Sequence, residues 1–218
     1  MRSDGAVSLV RLSHAFGLLP TERLARGFAA QRARFDQSHA SPTVPHVTMK
    51  QPFVLGEGQL TTHDDFVEWL NRECCLQRPF EVQLDDVGVF DSRSGYGHVV
   101  YVRVRVTPSL IELHDRLVRA LAQAGARTSG ITAENEVALF FPHLTLAQGL
   151  SASAARDVLA LVQREHVAST FMADRLVIAR SREGTRWELA EDVWFGGTAL
   201  VAEPADDTTS AVTPYSSQ

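Results

Sequence analysis

Two copies of one short motif carry the residues best suited to acid–base chemistry in this chain. Pro45-His46-Val47-Thr48-Met49 recurs as Pro142-His143-Leu144-Thr145-Leu146, and both copies have the form Pro-His-apolar-Thr-apolar. With eight histidines, a single His-x-Thr is unremarkable, but a repeat that also matches at a proline and two apolar positions is rare at average residue usage. The alternative explanation of the repeat is structural: two histidines in the core, each hydrogen-bonded to a threonine hydroxyl.

The residue types in the repeat suit displacement at a phosphodiester. Such a displacement needs a base for the attacking oxygen and an acid for the leaving oxygen, placed roughly in line across phosphorus. Imidazole, with an ordinary pKa near 6.5, can take either role at neutral pH. A threonine hydroxyl can donate to a non-bridging oxygen and stabilise the phosphoryl group. Two such motifs from two halves of the chain can flank one phosphate.

Both motifs lie on predicted strands, at about 46–55 and about 137–146. Because strand side chains alternate between faces, each histidine projects on the same side as its threonine, and the apolar residues face the core. Lys50, the only lysine, continues the face of the first motif, whereas the second motif has Ala147 at the equivalent place. The sequence leaves two interpretations of Lys50, a phosphate or substrate contact and a solvated strand end.

The remaining pattern alternates between strands and helices and predicts an α+β protein with antiparallel sheets covered by helices. The polar tail 203–218 is expected to be disordered. Helix starts are predicted at Thr21, Thr61 or Thr62, Ser109, and Ser151 or Ser153, and further strands at about 7–19, 80–90, 98–107, 171–179 and 187–195.

One polar strand face is a further candidate for substrate binding. Tyr101, Arg103 and Arg105 alternate with a run of valines on the strand that begins at His98. If this face lines the cleft, Tyr101 could stack on a base and Arg103 could contact phosphate. A plain solvent-facing sheet fits the same pattern. His14, His39, His63 and His166 have no partner at a meaningful spacing.

Composition sets limits on the function. The chain has 218 residues, of which 44% are hydrophobic and 22% charged, as in ordinary globular proteins. A net charge of −5 argues against coating nucleic acid through a broad basic surface, but allows a small positive cleft. We expect a cytoplasmic protein without membrane contact, because no stretch reaches about 20 apolar residues and no secretory signal is present. Neither a zinc site nor a Gly-rich ATP loop is evident.

The two motifs, with the order of elements from about residue 7 to 196, resemble the 2H phosphoesterase superfamily, the LigT-like or 2′-5′ RNA ligase group. The surrounding sequence is closer to a bacterial branch of unassigned function than to the tRNA-processing members. The resemblance implies a single bilobal α+β domain over 1–202, with two antiparallel sheets in pseudo-twofold arrangement around a central cleft and helices on the outer faces. It also implies an acid–base pair, His46 and His143, with Thr48 and Thr145 as phosphate ligands.

The resemblance favours hydrolysis of a 2′,3′-cyclic phosphate, at an RNA end or on a small nucleotide, by a monomer that needs no metal or other cofactor. Alternatives within the same chemistry are ATP-independent 2′-5′ joining of RNA ends and cleavage of a cyclic oligonucleotide or ADP-ribose derivative. A non-catalytic module that binds RNA ends or nucleotides is an alternative of another class, and a mainly structural protein is a third. Because the motifs are nearly symmetric, the acid and the base are not distinguished.

Overall fold

The computed structural model describes residues 12–35, 44–56, 58–91, 97–128, 131–182 and 187–197. The predicted tail 203–218 lies outside the described residues. In chain order the elements are β1 Leu12–Leu18, α1 Glu22–Phe35, β2 Val47–Val54, α2 His63–Cys74, β3 Phe80–Phe90, β4 His98–Val104, α3 Pro108–Gln123, β5 Arg127–Thr128, α4 Ala133–Ala138, β6 His143–Leu150, α5 Ala152–Glu165, β7 Ser169–Ala173, β8 Arg175–Arg182 and β9 Glu188–Trp194.

These strands form one antiparallel sheet made of two halves. The order is β7-β3-β4-β6-β2-β1-β8-β9, with the short β5 added beside β2. The halves meet where β2 pairs with β6, at Val47 and Leu144. The strand order is symmetric about this junction, so that β2 in one half corresponds to β6 in the other, and β1 corresponds to β4. The predicted α+β fold with two pseudo-twofold sheets is confirmed, and the two sheets are continuous through β2 and β6.

Side-chain caps define where the helices begin. Thr62 accepts a hydrogen bond from the backbone N–H of Asp65, whose carboxylate bonds back to the Thr62 N–H, so the two form a capping box at α2. Thr107 and Ser151 cap α3 and α5 more simply, because each side chain accepts a backbone N–H, from Leu110 and Ala154 respectively, with no bond back. α5 packs on β3, β4 and β6, and α2 packs on β9, while α1 contacts β6 and α3 contacts β2. Of the helices in the described ranges, none has the length and apolar character needed to cross a bilayer.

The segment before the second motif differs from the prediction. A strand was expected from about residue 137, but 133–138 form the short helix α4, and β6 begins only at His143. The Thr132 side chain caps α4 by accepting from the Asn135 N–H, and α4 buries Glu136. The strand predicted over 171–179 is likewise divided, because β7 ends at Ala173 and β8 starts at Arg175.

A pair of histidines is packed inside the half that contains β1. His14 is fully buried, and its Nε2 lies 3.2 Å from Nδ1 of His63. The other ring nitrogen of His63, Nε2, lies 3.3 Å from a Glu191 carboxylate oxygen. Burial, followed by the positive charges of His63 and Arg180, lowers the pKa of His14 to about 4. The sequence showed no spacing partner for His14, because its contacts come from distant segments.

This burial makes the stability of the protein sensitive to acid. Because the pKa of His14 is lower in the folded chain than in the unfolded one, the unfolded chain binds more protons between about pH 4 and 6.5. The free energy of unfolding is therefore expected to fall with decreasing pH across that window, by about 3 kcal/mol at its acid end. Denaturant titrations from pH 7.5 to 4 measure this slope, which His14→Leu should flatten. If the free energy of unfolding depended on pH equally in wild type and variant, His14 would not be the source of the acid sensitivity.

Candidate active site

The strand pairing at the centre of the sheet brings the two motifs together. Val47 is paired with Leu144 in antiparallel register. Continuing this register by one residue places His46 opposite Thr145 and Thr48 opposite His143. Residues directly opposite each other in such a ladder have Cα atoms roughly 4.5–5.5 Å apart and share a face. These four side chains, His46, Thr48, His143 and Thr145, are the candidate catalytic residues, and we call them the catalytic cluster.

Each histidine of the cluster is oriented by a backbone carbonyl two residues earlier. Nδ1 of His46 lies 2.8 Å from the Val44 oxygen, and Nδ1 of His143 lies 2.8 Å from the Phe141 oxygen. A carbonyl oxygen only accepts, so Nδ1 carries the proton in both rings and Nε2 is the nitrogen that exchanges protons with a substrate. The motif prolines, Pro45 and Pro142, stand between carbonyl and histidine. Their restricted φ helps to fix this geometry, a role that the sequence analysis missed.

Burial biases both imidazoles toward the neutral form, and nearby positive charge adds to this effect at His46. Desolvation is the main cause that lowers the pKa of His46, the positive charges of Arg32 and His143 lower it further, and the Val44 carbonyl opposes them. Desolvation also lowers the pKa of His143, against the Phe141 carbonyl. Since a proton on one ring disfavours a proton on the other, the doubly protonated state is disfavoured, and the pair is protonated one ring at a time.

Gly17 allows β1 to lie close to the first motif. It pairs with Thr48 in the β1–β2 ladder. A Cβ at this position would lie 2.6 Å from the Val47 carbonyl oxygen and 3.5 Å from Cδ2 of His46. A side chain would therefore displace the strand that carries His46. The available signal was an isolated glycine inside an apolar strand pattern, which marks close backbone approach.

A cavity of about 250 Å³ opens beside the catalytic cluster, and we call it the cleft cavity. Thr48 and His143 form the part of its wall nearest the cluster, and Lys50 and Glu136 also line it. Its other lining residues are Met49, Gln51, Phe90, His114, Ile131, Leu139, Phe140 and Phe141. Aromatic rings therefore make up a large part of the surface that a bound substrate would meet.

Lys50 shares the cluster's side of β2, as predicted from the period of two, but its charge is engaged elsewhere. Its side chain is 3% exposed, and Nζ lies 2.8 Å from Oε2 and 3.2 Å from Oε1 of Glu136. Nζ also donates to the Thr128 hydroxyl and, at 3.4 Å, to the Gln51 carbonyl. The structure thus replaces both interpretations, a phosphate contact and a solvated strand end, with a buried ion pair. Burial lowers the pKa of Lys50, while Glu136 opposes that shift.

Tyr101 supports the site from the neighbouring strand and is not open to a base. It is 5% exposed and stacks on Phe90 at 4.1 Å between ring centroids, with its ring edge toward His143 at 5.6 Å. The predicted stacking on a base is thus replaced by packing against Phe90.

Arg103 lies at the rim of the site. It pairs with His143 in the β4–β6 ladder, and its side chain is 49% exposed. The guanidinium is 5.7 Å from the centre of the Phe141 ring, and its Nε is 4.0 Å from Asp86. This position is compatible with the predicted phosphate contact, which stays a prediction. In the described ranges, no three His, Cys, Asp or Glu side chains are grouped as a metal site would require.

The family comparison agrees with this geometry. The model of the 2′-5′ RNA ligase superfamily matches residues 20–185. The chain belongs to this superfamily. A Bacillus cytotoxicus protein with the provisional name of phosphoesterase is 30% identical to this superfamily member over 165 residues, which cover 76% of this chain and 86% of that protein. A Geobacillus thermodenitrificans protein with the same provisional name is 25% identical over 190 residues, which cover 87% of this chain and 100% of that protein.

Solved structures share the fold of this 2′-5′ RNA ligase superfamily member. Escherichia coli LigT, crystallised with 3′-AMP, superimposes with a TM-score of 0.54 at 20% identity, covering 85% of this chain and 97% of LigT. A Thermus thermophilus protein superimposes with a TM-score of 0.52 at 18% identity, and the match covers 86% of this chain and 98% of that protein. The predicted resemblance to the 2H phosphoesterases is confirmed, and the relatives' names support a phosphoesterase.

Proposed function

We propose that the protein is a metal-independent phosphodiesterase that hydrolyses the 2′,3′-cyclic phosphate of RNA ends or small nucleotides. The observation that carries this proposal is the matched pair of imidazoles, one directly before β2 and one at the first residue of β6. Each has Nδ1 held by a carbonyl at 2.8 Å, which leaves Nε2 for proton transfer. Two such rings, across one strand pairing, supply the acid and the base that an in-line displacement at phosphorus needs.

The proposed reaction needs no group beyond the catalytic cluster and water. Nε2 of neutral His143 takes a proton from water while the water oxygen bonds to phosphorus. Nε2 of protonated His46 gives its proton to the departing ribose oxygen as the phosphorus–oxygen bond breaks. Before and after the step the pair holds one proton more than two neutral rings, on Nε2 of His46 before it and on Nε2 of His143 after it. The reverse assignment of the two rings uses the same geometry. Thr48 and Thr145 donate hydrogen bonds to the non-bridging oxygens.

Comparison with known proteins supports a nucleotide substrate. LigT, which shares this fold, has been crystallised with 3′-AMP and with NADP+, and the match to the second complex has a TM-score of 0.51. Both ligands contain a ribose phosphate. The names of the sequence relatives support the hydrolysis of a phosphate ester.

Turnover in the presence of EDTA tests the proposal. The substrates are the four 2′,3′-cyclic nucleotides and short RNAs that end in a cyclic phosphate, with product identified by chromatography. We expect conversion to a phosphomonoester at a rate that EDTA does not change. Tight binding of the cyclic nucleotides without conversion would refute catalysis and favour a module that only binds RNA ends.

The pH dependence of the reaction follows from the lowered pKa values of the two histidines. In the free enzyme the singly protonated pair is most populated below pH 6.5, so kcat/KM is expected to be bell-shaped with its maximum on the acid side of 6.5. Arg32→Gln removes a positive charge that lowers the pKa of His46 and should move the profile to higher pH. Arg32→Lys keeps the charge and serves as the control. A plateau that extends to pH 8 would contradict the two-imidazole mechanism.

A further inference from the structure

The cleft cavity extends from the catalytic cluster along the first motif strand. Thr48 and Lys50 are two residues apart on β2, so their Cα atoms are separated by roughly 6.8 Å. This spacing is of the same order as the distance between the phosphate and the base of one nucleotide. A phosphate held by Thr48 therefore places its own base in the cleft cavity, near Lys50 and Glu136.

The side walls of the cleft cavity suit a flat aromatic ring. Phe90 and Phe141 line it, with ring centroids 5.4 Å apart and planes at 73°. Phe141 is 39% exposed and Leu139 is 73% exposed, so both present apolar surface where a ligand would enter. Aromatic faces bind bases by stacking without distinguishing one base from another. Selection among bases must therefore come from the polar end of the cavity.

That polar end offers a hydrogen-bond acceptor. Lys50 donates to Glu136, the Thr128 hydroxyl and the Gln51 carbonyl, so all of its N–H groups are engaged within the protein. Oε1 of Glu136 accepts from Lys50 and, at 3.1 Å, from the Gln51 backbone N–H, whereas among the described residues Oε2 accepts from Lys50 only. A carboxylate oxygen can accept about two hydrogen bonds, so Oε2 retains capacity for one donor.

We propose that the cleft cavity binds the base of the substrate and that Glu136 makes it select bases with an exocyclic amino group. Guanine, adenine and cytosine each direct such a donor to a carboxylate. Uracil has one ring N–H, flanked by two carbonyl oxygens that a carboxylate repels. This inference rests on the proposed function, since it takes the phosphate to lie at the catalytic cluster.

Equilibrium binding of the 3′-monophosphates of the four nucleosides, measured by calorimetry, tests the selection without requiring turnover. Inorganic phosphate reports on the phosphate site alone. We expect 3′-UMP to bind roughly tenfold more weakly than the other three, the usual effect of one hydrogen bond to a charged group. Equal affinities, with inorganic phosphate bound, would overturn the base assignment and leave the proposed function intact. No binding of any of these ligands would overturn both.

A paired substitution tests the role of Glu136 directly. In Lys50→Met/Glu136→Gln, the amide oxygen keeps the bond from the Gln51 N–H, and the amide N–H₂ faces the cavity as a donor. The affinity ratio of 3′-UMP to 3′-CMP is then expected to rise by roughly tenfold, because uracil presents a carbonyl where cytosine presents an amino group. Thr48→Val is the matched control, which should weaken all four ligands by one common factor. An unchanged ratio in the double variant would overturn the proposal.

Discussion

Replacing His46 with alanine is expected to lower kcat by roughly 10²–10⁴-fold, and replacing His143 by a similar factor. Each change removes one proton-transfer group and leaves both threonines in place. Because the two rings act as a unit, the double variant should be only slightly slower than either single variant. Steady-state rates on a 2′,3′-cyclic nucleotide at saturation measure these losses.

The control for this experiment is a histidine outside the cleft cavity. The His166 side chain hydrogen-bonds to the backbone carbonyl of Asp85 and does not line the cleft cavity. His166→Ala should keep wild-type kcat within about twofold. Retention of full activity by both His46→Ala and His143→Ala would eliminate the two-histidine mechanism, whatever the substrate.

Breaking the Lys50–Glu136 ion pair from one side is expected to lower the free energy of unfolding by roughly 3–5 kcal/mol. Both side chains are about 95% buried or more, so Lys50→Met leaves an uncompensated carboxylate and Glu136→Gln an uncompensated ammonium. The double variant removes both charges and keeps an acceptor for the Gln51 N–H. The double variant should therefore recover most of the free energy of unfolding that either single variant loses. Urea denaturation of the three variants measures the effect.

An exposed pair on α2 provides the matched comparison. Arg72 and Glu68 are 62% and 75% exposed, so Arg72→Met is expected to cost less than about 1 kcal/mol. If the losses from Lys50→Met and Glu136→Gln simply added in the double variant, the two side chains would not be coupled. That result would contradict the ion pair as a structural link between β2 and α4.

The local features of the site could be predicted from the sequence. The period of two in a strand places His46 and Thr48 on one face, and it also places Lys50 on that side of β2. A helix cap at Thr61 or Thr62 follows from the sequence, since each threonine is followed three residues later by an aspartate, and the structure places the cap at Thr62. The resemblance then indicated that the two motifs meet.

The contacts between distant segments could not be predicted in this way. No local pattern connects Lys50 to Glu136, which is 86 residues further along the chain, or His14 to His63, which is 49 residues further. The apolar run after Glu136 resembled a strand, yet the Thr132 cap and the buried ion pair favour the helix α4. Tertiary contacts overrode local propensity there, as they often do in short elements.

The junction at Val47 and Leu144 has a consequence for how such a chain can diverge. In the described part of the chain, the spacing of the two motif histidines depends on this strand pairing and on two carbonyl contacts close by in sequence. The outer strands and helices can then accept many substitutions, and move relative to the centre, while that spacing is kept. Two chains can therefore share this fold at about one identical residue in five, as this chain and LigT do, while the residues around the centre differ.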